Sequence, residues 1–186
     1  MRRPSQALGL AALVGAALWA PAPAAGAALV APASAAGPAS TTVLRLDGVG
    51  PLQLGMTRSA ALATGWLAER RPGCPLGGTP PITYRFTGPK APAAIRGSAE
   101  FENHRLSTLS FTRGVRTSTG VTVGRTTSAR MVTRYRTAGF TASARFESTF
   151  QGTFVRVRRH GRDVVGGFSE GRVVTIIAIP AVAACE

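Results

Sequence analysis

The sequence predicts an α+β fold of two tandem repeats, each a helix packed on an antiparallel β-meander, and three observations lead there. The segment GPLQLGMTRSAALATGWL, Gly50–Leu67, finds a fainter copy in TGVTVGRTTSARMVTRYR, Thr119–Arg136. Gly55 falls on Gly124, Thr57 on Thr126, Ser59 on Ser128 and Ala60 on Ala129, all at an offset of 69. A second, collinear match pairs FENHRLSTLSF, Phe101–Phe111, with FSEGRVVTIIA, Phe168–Ala178, at an offset of 67. The third observation is that each helix-like run is followed by β-branched and aromatic stretches separated by tight turns. A unit of about seventy residues is longer than solenoid repeats, so the chain reads as two related subdomains, 42–114 and 115–186.

In chain order, the first element is a processing signal. Arg2 and Arg3 precede an apolar run, Ala7–Ala20, too short to span a bilayer, and small-residue cleavage sites follow. This predicts a signal peptide over 1–27, with cleavage as late as residue 35 the alternative. The run that usually follows a twin arginine is missing, which favours ordinary secretory export. With no Cys next to the apolar run to take a lipid, the mature chain is expected to be released, without a transmembrane anchor. Residues 28–41 are rich in Ala and Pro with no apolar face and read as a disordered linker.

The motif itself comes next. Alternating Leu52 and Leu54, or Val121 and Val123, point to one face of a short extended segment. Gly55 and Gly124 are expected where the chain turns sharply and a side chain would clash. Thr57 and Thr126 suit an N-cap, accepting from an orphan amide of the following turn. Leu62 with Trp66, and Met131 with Tyr135, are spaced i to i+4, so each pair should dock on a sheet from one helix face. Gly139 is the expected stop of the second helix.

Strands are then predicted over Ile82–Phe86, Gly97–Asn103 and Arg105–Thr112, the last two joined tightly around Asn103 and His104. The second set covers Phe140–Phe150, Thr153–Arg159, Asp163–Ser169 and Arg172–Ile179. Turns at Gln151-Gly152, His160-Gly161 and Glu170-Gly171 connect them. Links this short require antiparallel neighbours.

The two glycine motifs and the meander after each resemble the small helix-plus-sheet repeat of two groups. These are the outer-membrane assembly lipoproteins of the SmpA/OmlA (BamE) type and the tandem-repeat β-lactamase inhibitory proteins (BLIP-like). The two-copy layout, the leader and the Arg/Ala-rich composition are most similar to secreted actinobacterial proteins of the tandem kind. The resemblance spans about Val43 to Ile179 and implies the fold; Met56 departs from it, being Arg125 in the second copy, and the lipoproteins' lipid-bearing Cys is missing.

Charge bounds the partners. Lys and Arg number 22 against 8 Asp and Glu, a net +14 with a pI near 11.8, and losing Arg2 and Arg3 with the leader leaves 20 against 8. Such a surface meets polyanions or acidic proteins. Lys90 is the only lysine, however, and Ala, Gly, Pro and Arg share GC-rich codons, so genome composition competes with selection for a polyanion as the source of the arginine. Only Cys74 and Cys185 are present, and in an exported chain an even pair predicts a disulfide. Closing a loop that long is worth about 4–5 kcal/mol in the chain-entropy model.

Catalytic chemistry is thinly represented. His104 and His160 fall in predicted turns, no nucleophile elbow accompanies the serines, and Glu100 with Glu102, though on one strand face, has arginines to pair with. The two Cys and two His lack metal-ligand spacing, and no phosphate loop is present, so neither metal nor cofactor is expected. One local run has binding character: FVRVRRHGRD, Phe154–Asp163. Arg156 and Arg158 share a strand face, and Arg159, His160 and Arg162 crowd the adjoining turn, an arrangement suited to phosphate, sulfate or carboxylate. A solvated outer strand carrying genome-favoured arginine is the competing reading. With few stacking aromatics nearby, nucleic acid is not expected. The sequence therefore predicts a secreted, non-enzymatic binding protein for a protein or an anionic cell-envelope polymer. An inhibitor of a secreted enzyme is the alternative, and a small secreted hydrolase the weakest reading.

Overall fold

The computed structural model describes residues 42–73 and 81–182. The expected leader, the Ala/Pro linker and the Cys74–Cys185 bridge lie outside the described residues.

The expected class is not what forms. Twelve strands and only two helices, of six and ten residues, occur among the described residues, so the molecule is mostly β and not a pair of helix-on-meander repeats. The strands form two sheets. The smaller has the order β3-β2-β1-β8, built from β1 (Thr42–Leu44), β2 (Gly48–Val49), β3 (Leu52–Gln53) and β8 (Val115–Thr117), with β1 and β8 parallel. None of these but the Leu52 segment is legible as a strand, because two- and three-residue strands carry no periodicity.

The larger sheet has eight antiparallel strands in the order β4-β5-β6-β7-β12-β11-β10-β9. Its first half is β4 (Ala68–Pro72), β5 (Ile82–Arg85), β6 (Arg96–Glu102) and β7 (Arg105–Arg113). Its second half is β9 (Thr141–Glu147), β10 (Gly152–Arg159), β11 (Arg162–Ser169) and β12 (Ile176–Ile179). The halves join where Ile177, Ala178 and Ile179 pair with Phe111, Ser110 and Leu109. A single hydrophobic cluster runs through both, from Leu44 and Val49 through Phe111 and Leu109 to Val155 and Val157. Two subdomains with separate cores would have left that junction polar; Ile177 and Ile179 are fully buried there instead.

Helix α1 (Arg58–Ala63) is capped by Thr57, whose hydroxyl accepts from the Ala60 amide. It ends after six residues. Thr64 turns its hydroxyl onto the Ala61 carbonyl at 2.6 Å, and Gly65 follows at φ +73°. Trp66 therefore lies outside the helix, against Gly50, and the expected Leu62–Trp66 helical face does not exist. Helix α2 (Ser128–Thr137) runs ten residues and buries Met131 and Tyr135 completely. Its N-cap is Thr127, which accepts from the Arg130 amide, and not Thr126. Thr126 is buried and accepts from the Thr122 amide at 2.9 Å. One extra residue between glycine and cap produces that shift. At the other end Gly139 takes φ +82°, its amide reaching the Arg136 carbonyl while the Phe140 amide reaches that of Tyr135, a Schellman closure. The rings of Phe140 and Tyr135 meet edge to face at 5.5 Å, the apolar contact that accompanies this closure.

Gly55 and Gly124 turn out to be required for a different reason from the one expected. A Cβ at either would meet nothing within 4 Å; the requirement is the backbone, at φ +82° and +74°.

Candidate functional site: an aromatic-floored cleft on the open sheet face

One face of the large sheet packs on the helices. The other carries a row of paired residues across all eight strands: Ala68, Arg85, Ser98, Ser110, Ala178, Gly166, Arg156 and Ser143. Small side chains occupy the middle of the row and arginines flank it. Over Gly166 the chain returns on itself. After β12 it crosses this face, and a Cβ on Gly166 would sit 2.4 Å from the Val182 amide nitrogen, so only glycine allows so close an approach.

Between this returning segment and β9 lies a cleft of about 360 Å³ lined by Ser143, Arg145, Glu147, Phe150, Phe154, Arg156, Ala181 and Val182. Its floor is aromatic. Phe150 and Phe154 form it, their rings meeting edge to face at 5.5 Å between centroids, and Phe154 packs in turn, tilted, on the buried Phe168 ring at 4.8 Å. Its walls carry guanidinium groups: Arg145 pairs with Glu147 at 3.1 Å, and Arg156 reaches Asp163 at 3.7 Å. Both arginines remain largely in solvent, so these pairs contribute little to stability and exchange readily for another carboxylate.

A register shift brings Phe168 beside Phe154 to back the floor. The two-residue turn His160-Gly161 sets Arg159 opposite Arg162 and Arg158 opposite Asp163, but Val157 then pairs with Val165, leaving Val164 as the extra residue of a bulge. From there Phe154 faces Phe168, where an unbroken register would have set it against Gly167.

The predicted basic cluster is only partly assembled. Arg156 and Arg158 do share a face, and both lean on Asp163, Arg158 at 2.9 Å. Arg159 alternates to the opposite face, its guanidinium 5.8 Å from the centre of the Phe140 ring. His160, at φ +51°, and Arg162 are exposed in the turn. The residues that sequence reasoning passed over are Phe150, Phe168 and Arg145. The signal for Phe168 was the odd count between it and Phe154, which becomes a facing pair only through the bulge.

Catalytic groups do not converge among the described residues. His104, at φ +61°, and His160 both sit exposed in hairpin turns. The depression that His104 lines together with Ser59 is bordered by Thr57, Arg58, Leu62, Asn103 and Arg105, with no carboxylate. No group of three His, Cys, Asp or Glu residues suited to a metal occurs among the described residues, and no described helix is long and apolar enough to cross a membrane.

Burial pushes the Tyr135 phenol above its ordinary pKa of 10.0, and the Thr117 and Thr119 hydroxyls beside it pull the other way to a lesser extent. Those two hydroxyls bond each other at 2.9 Å, and the phenolic oxygen has no aligned partner of its own.

Comparison with known proteins adds no identity: no family model, curated protein or solved structure matches the chain, so nothing there supports a lipoprotein-like or inhibitor-like group.

Proposed function

We propose that the protein is a non-enzymatic binding protein that holds an acidic segment of a partner protein in the cleft on the open sheet face. The observation that carries this is the floor of Phe150 and Phe154, the latter backed by the buried Phe168 ring, set between Arg145 and Arg156. Such a site takes an apolar or aromatic side chain on the rings while flanking carboxylates displace Glu147 and Asp163 from the guanidinium groups. A flexible anionic polymer would use the arginines but leave the rings idle, so the aromatic floor favours a protein over an envelope polymer. The leader expected from the sequence supports placing the protein at the cell exterior. An inhibitor of a secreted enzyme is one case of this reading.

The test is capture. Immobilised protein is exposed to culture supernatant and to cell-envelope extract and then washed with increasing salt. The reading expects a protein partner whose retention survives high salt and is lost on Phe154→Ala. Retention that fades steeply with salt and is unchanged by Phe154→Ala would assign the surface to polyanion binding instead.

A further inference from the structure

The two edges of the large sheet are built differently. At one end β4 is blunted: its register with β5 slips between Ala68 and Arg70, Glu69 takes φ +53°, and Pro72 closes the strand. These are the usual devices that keep an edge from pairing. At the other end β9 has none of them. Its seven residues pair with β10 in unbroken register, and Phe146 stands 60% exposed, one of two large apolar side chains so exposed among the described residues.

We propose that β9 is a dimerisation edge, pairing antiparallel with β9 of a second copy of this chain about a two-fold axis at Phe146. The inference shares Arg145 and Glu147 with the cleft wall, where they pair with each other, and rests on self-complementarity. Reading Arg145-Phe146-Glu147 antiparallel against itself sets Phe146 opposite its own mate and Arg145 opposite Glu147, twice. Directly opposed side chains in such a pair have Cβ atoms about 4.5–5.5 Å apart, within reach of ring contact and ion pairing. A pairing centred one residue earlier would oppose Arg145 to itself and is excluded by charge. The axis placement also suits the first half of the strand, where Arg136 from α2 already donates its Nε to the Ala142 carbonyl at 2.8 Å. What remains open is the stretch around Phe146. A two-fold axis perpendicular to the sheet keeps the faces in register, so the dimer is one continuous sixteen-stranded sheet with both clefts on the same side.

Sedimentation of the purified full chain over a wide concentration range tests this. The expected result is a monomer–dimer equilibrium that Phe146→Lys shifts at least tenfold toward monomer, with the circular dichroism unchanged. Glu147→Arg, which sets arginine against arginine, is expected to do the same. The exchanged pair, Arg145→Glu with Glu147→Arg, restores the opposition of unlike charges and with it the dimer. A chain monomeric at every concentration, a dimer indifferent to Phe146→Lys, or an exchanged pair no better than Glu147→Arg would each overturn the proposal. Phe154→Ala, in the cleft, leaves the equilibrium in place.

Discussion

The entries to the two helices share one wiring and end in different helices. At the first, the Gly55 amide donates to the Leu106 carbonyl, the Leu106 amide to that of Met56, and the Arg58 amide to that of His104. At the second, Gly124 donates to Val174, Val174 to Thr126 and Ser128 to Arg172. Each entry thereby ties a left-handed glycine to the large sheet, onto β7 at the first and onto the run leading into β12 at the second. Beyond the splice they diverge: α1 stops at six residues with only Ala61 buried, and α2 continues to ten and buries Met131 and Tyr135. The difference shows that the entry fixes where a helix starts, while the surface to be covered fixes how long it is. At the first site Trp66 covers Gly50 from outside the helix; at the second, α2 itself must cover Val155 and Gly167, and the Met131 sulfur lies where a Gly167 side chain would be.

The sharpest way to break this contrast is truncation under each helix. Met131→Ala is expected to lower unfolding stability by about 2–5 kcal/mol, and Leu62→Ala, half-buried, by less than half as much. Equal losses in urea titrations would mean that α1 carries as much of the core as α2. Next in size are the glycines. Because nothing crowds either, Gly55→Ala and Gly124→Ala should each cost only the left-handed backbone penalty, about 1–2 kcal/mol, and should match. A clear inequality would show that the entries are not alike. Capping follows, at about 1 kcal/mol for Thr127→Ala and less for Thr57→Ala, whose bond to the helix is longer, 3.4 against 3.2 Å.

The smallest effect at neutral pH belongs to Tyr135→Phe, expected to be neutral or slightly stabilising, because it removes a buried hydroxyl without an aligned partner. Its signature lies in alkali. The folded-state pKa is raised, so the folded chain keeps a proton that the unfolded chain loses above about pH 10. Stability contributed by the neutral phenol is complete below that pH and falls as pH rises beyond it. The wild-type minus Tyr135→Phe difference in melting temperature should therefore grow more unfavourable to the wild type above pH 10. A flat difference would contradict the burial.

How much of this was legible in the sequence depends on the range of the interaction. The positive-φ turns at Asn103-His104 and His160-Gly161, the N-cap at Thr57 and the stop at Gly139 follow from local chemistry and are found where that chemistry puts them. The class is not legible locally, because each helix and meander reads as a closed unit. Nothing local reveals that the last strand of each set would pair with the other, merging two meanders into one sheet. The cap at Thr126 was missed by one residue, since two adjacent threonines are equally good caps and only the bond from the Thr122 amide decides between them. The cleft was hidden for a similar reason. Alternation counted from the turn sends Phe168 to the helix-covered face, and the bulge at Val164 sends it to the open one.

On the binding reading proposed above, the open face with its aromatic floor is the working surface. Gly166→Val addresses this most directly, because its side chain has no room beneath Val182 and must lift the returning segment that walls the cleft, while the helices on the opposite face stay covered. The measurement is the affinity of the captured partner for wild type and variant at high salt, alongside their melting temperatures. The expected result is a loss of at least tenfold in affinity with the fold retained. Unchanged affinity in a folded variant would contradict it.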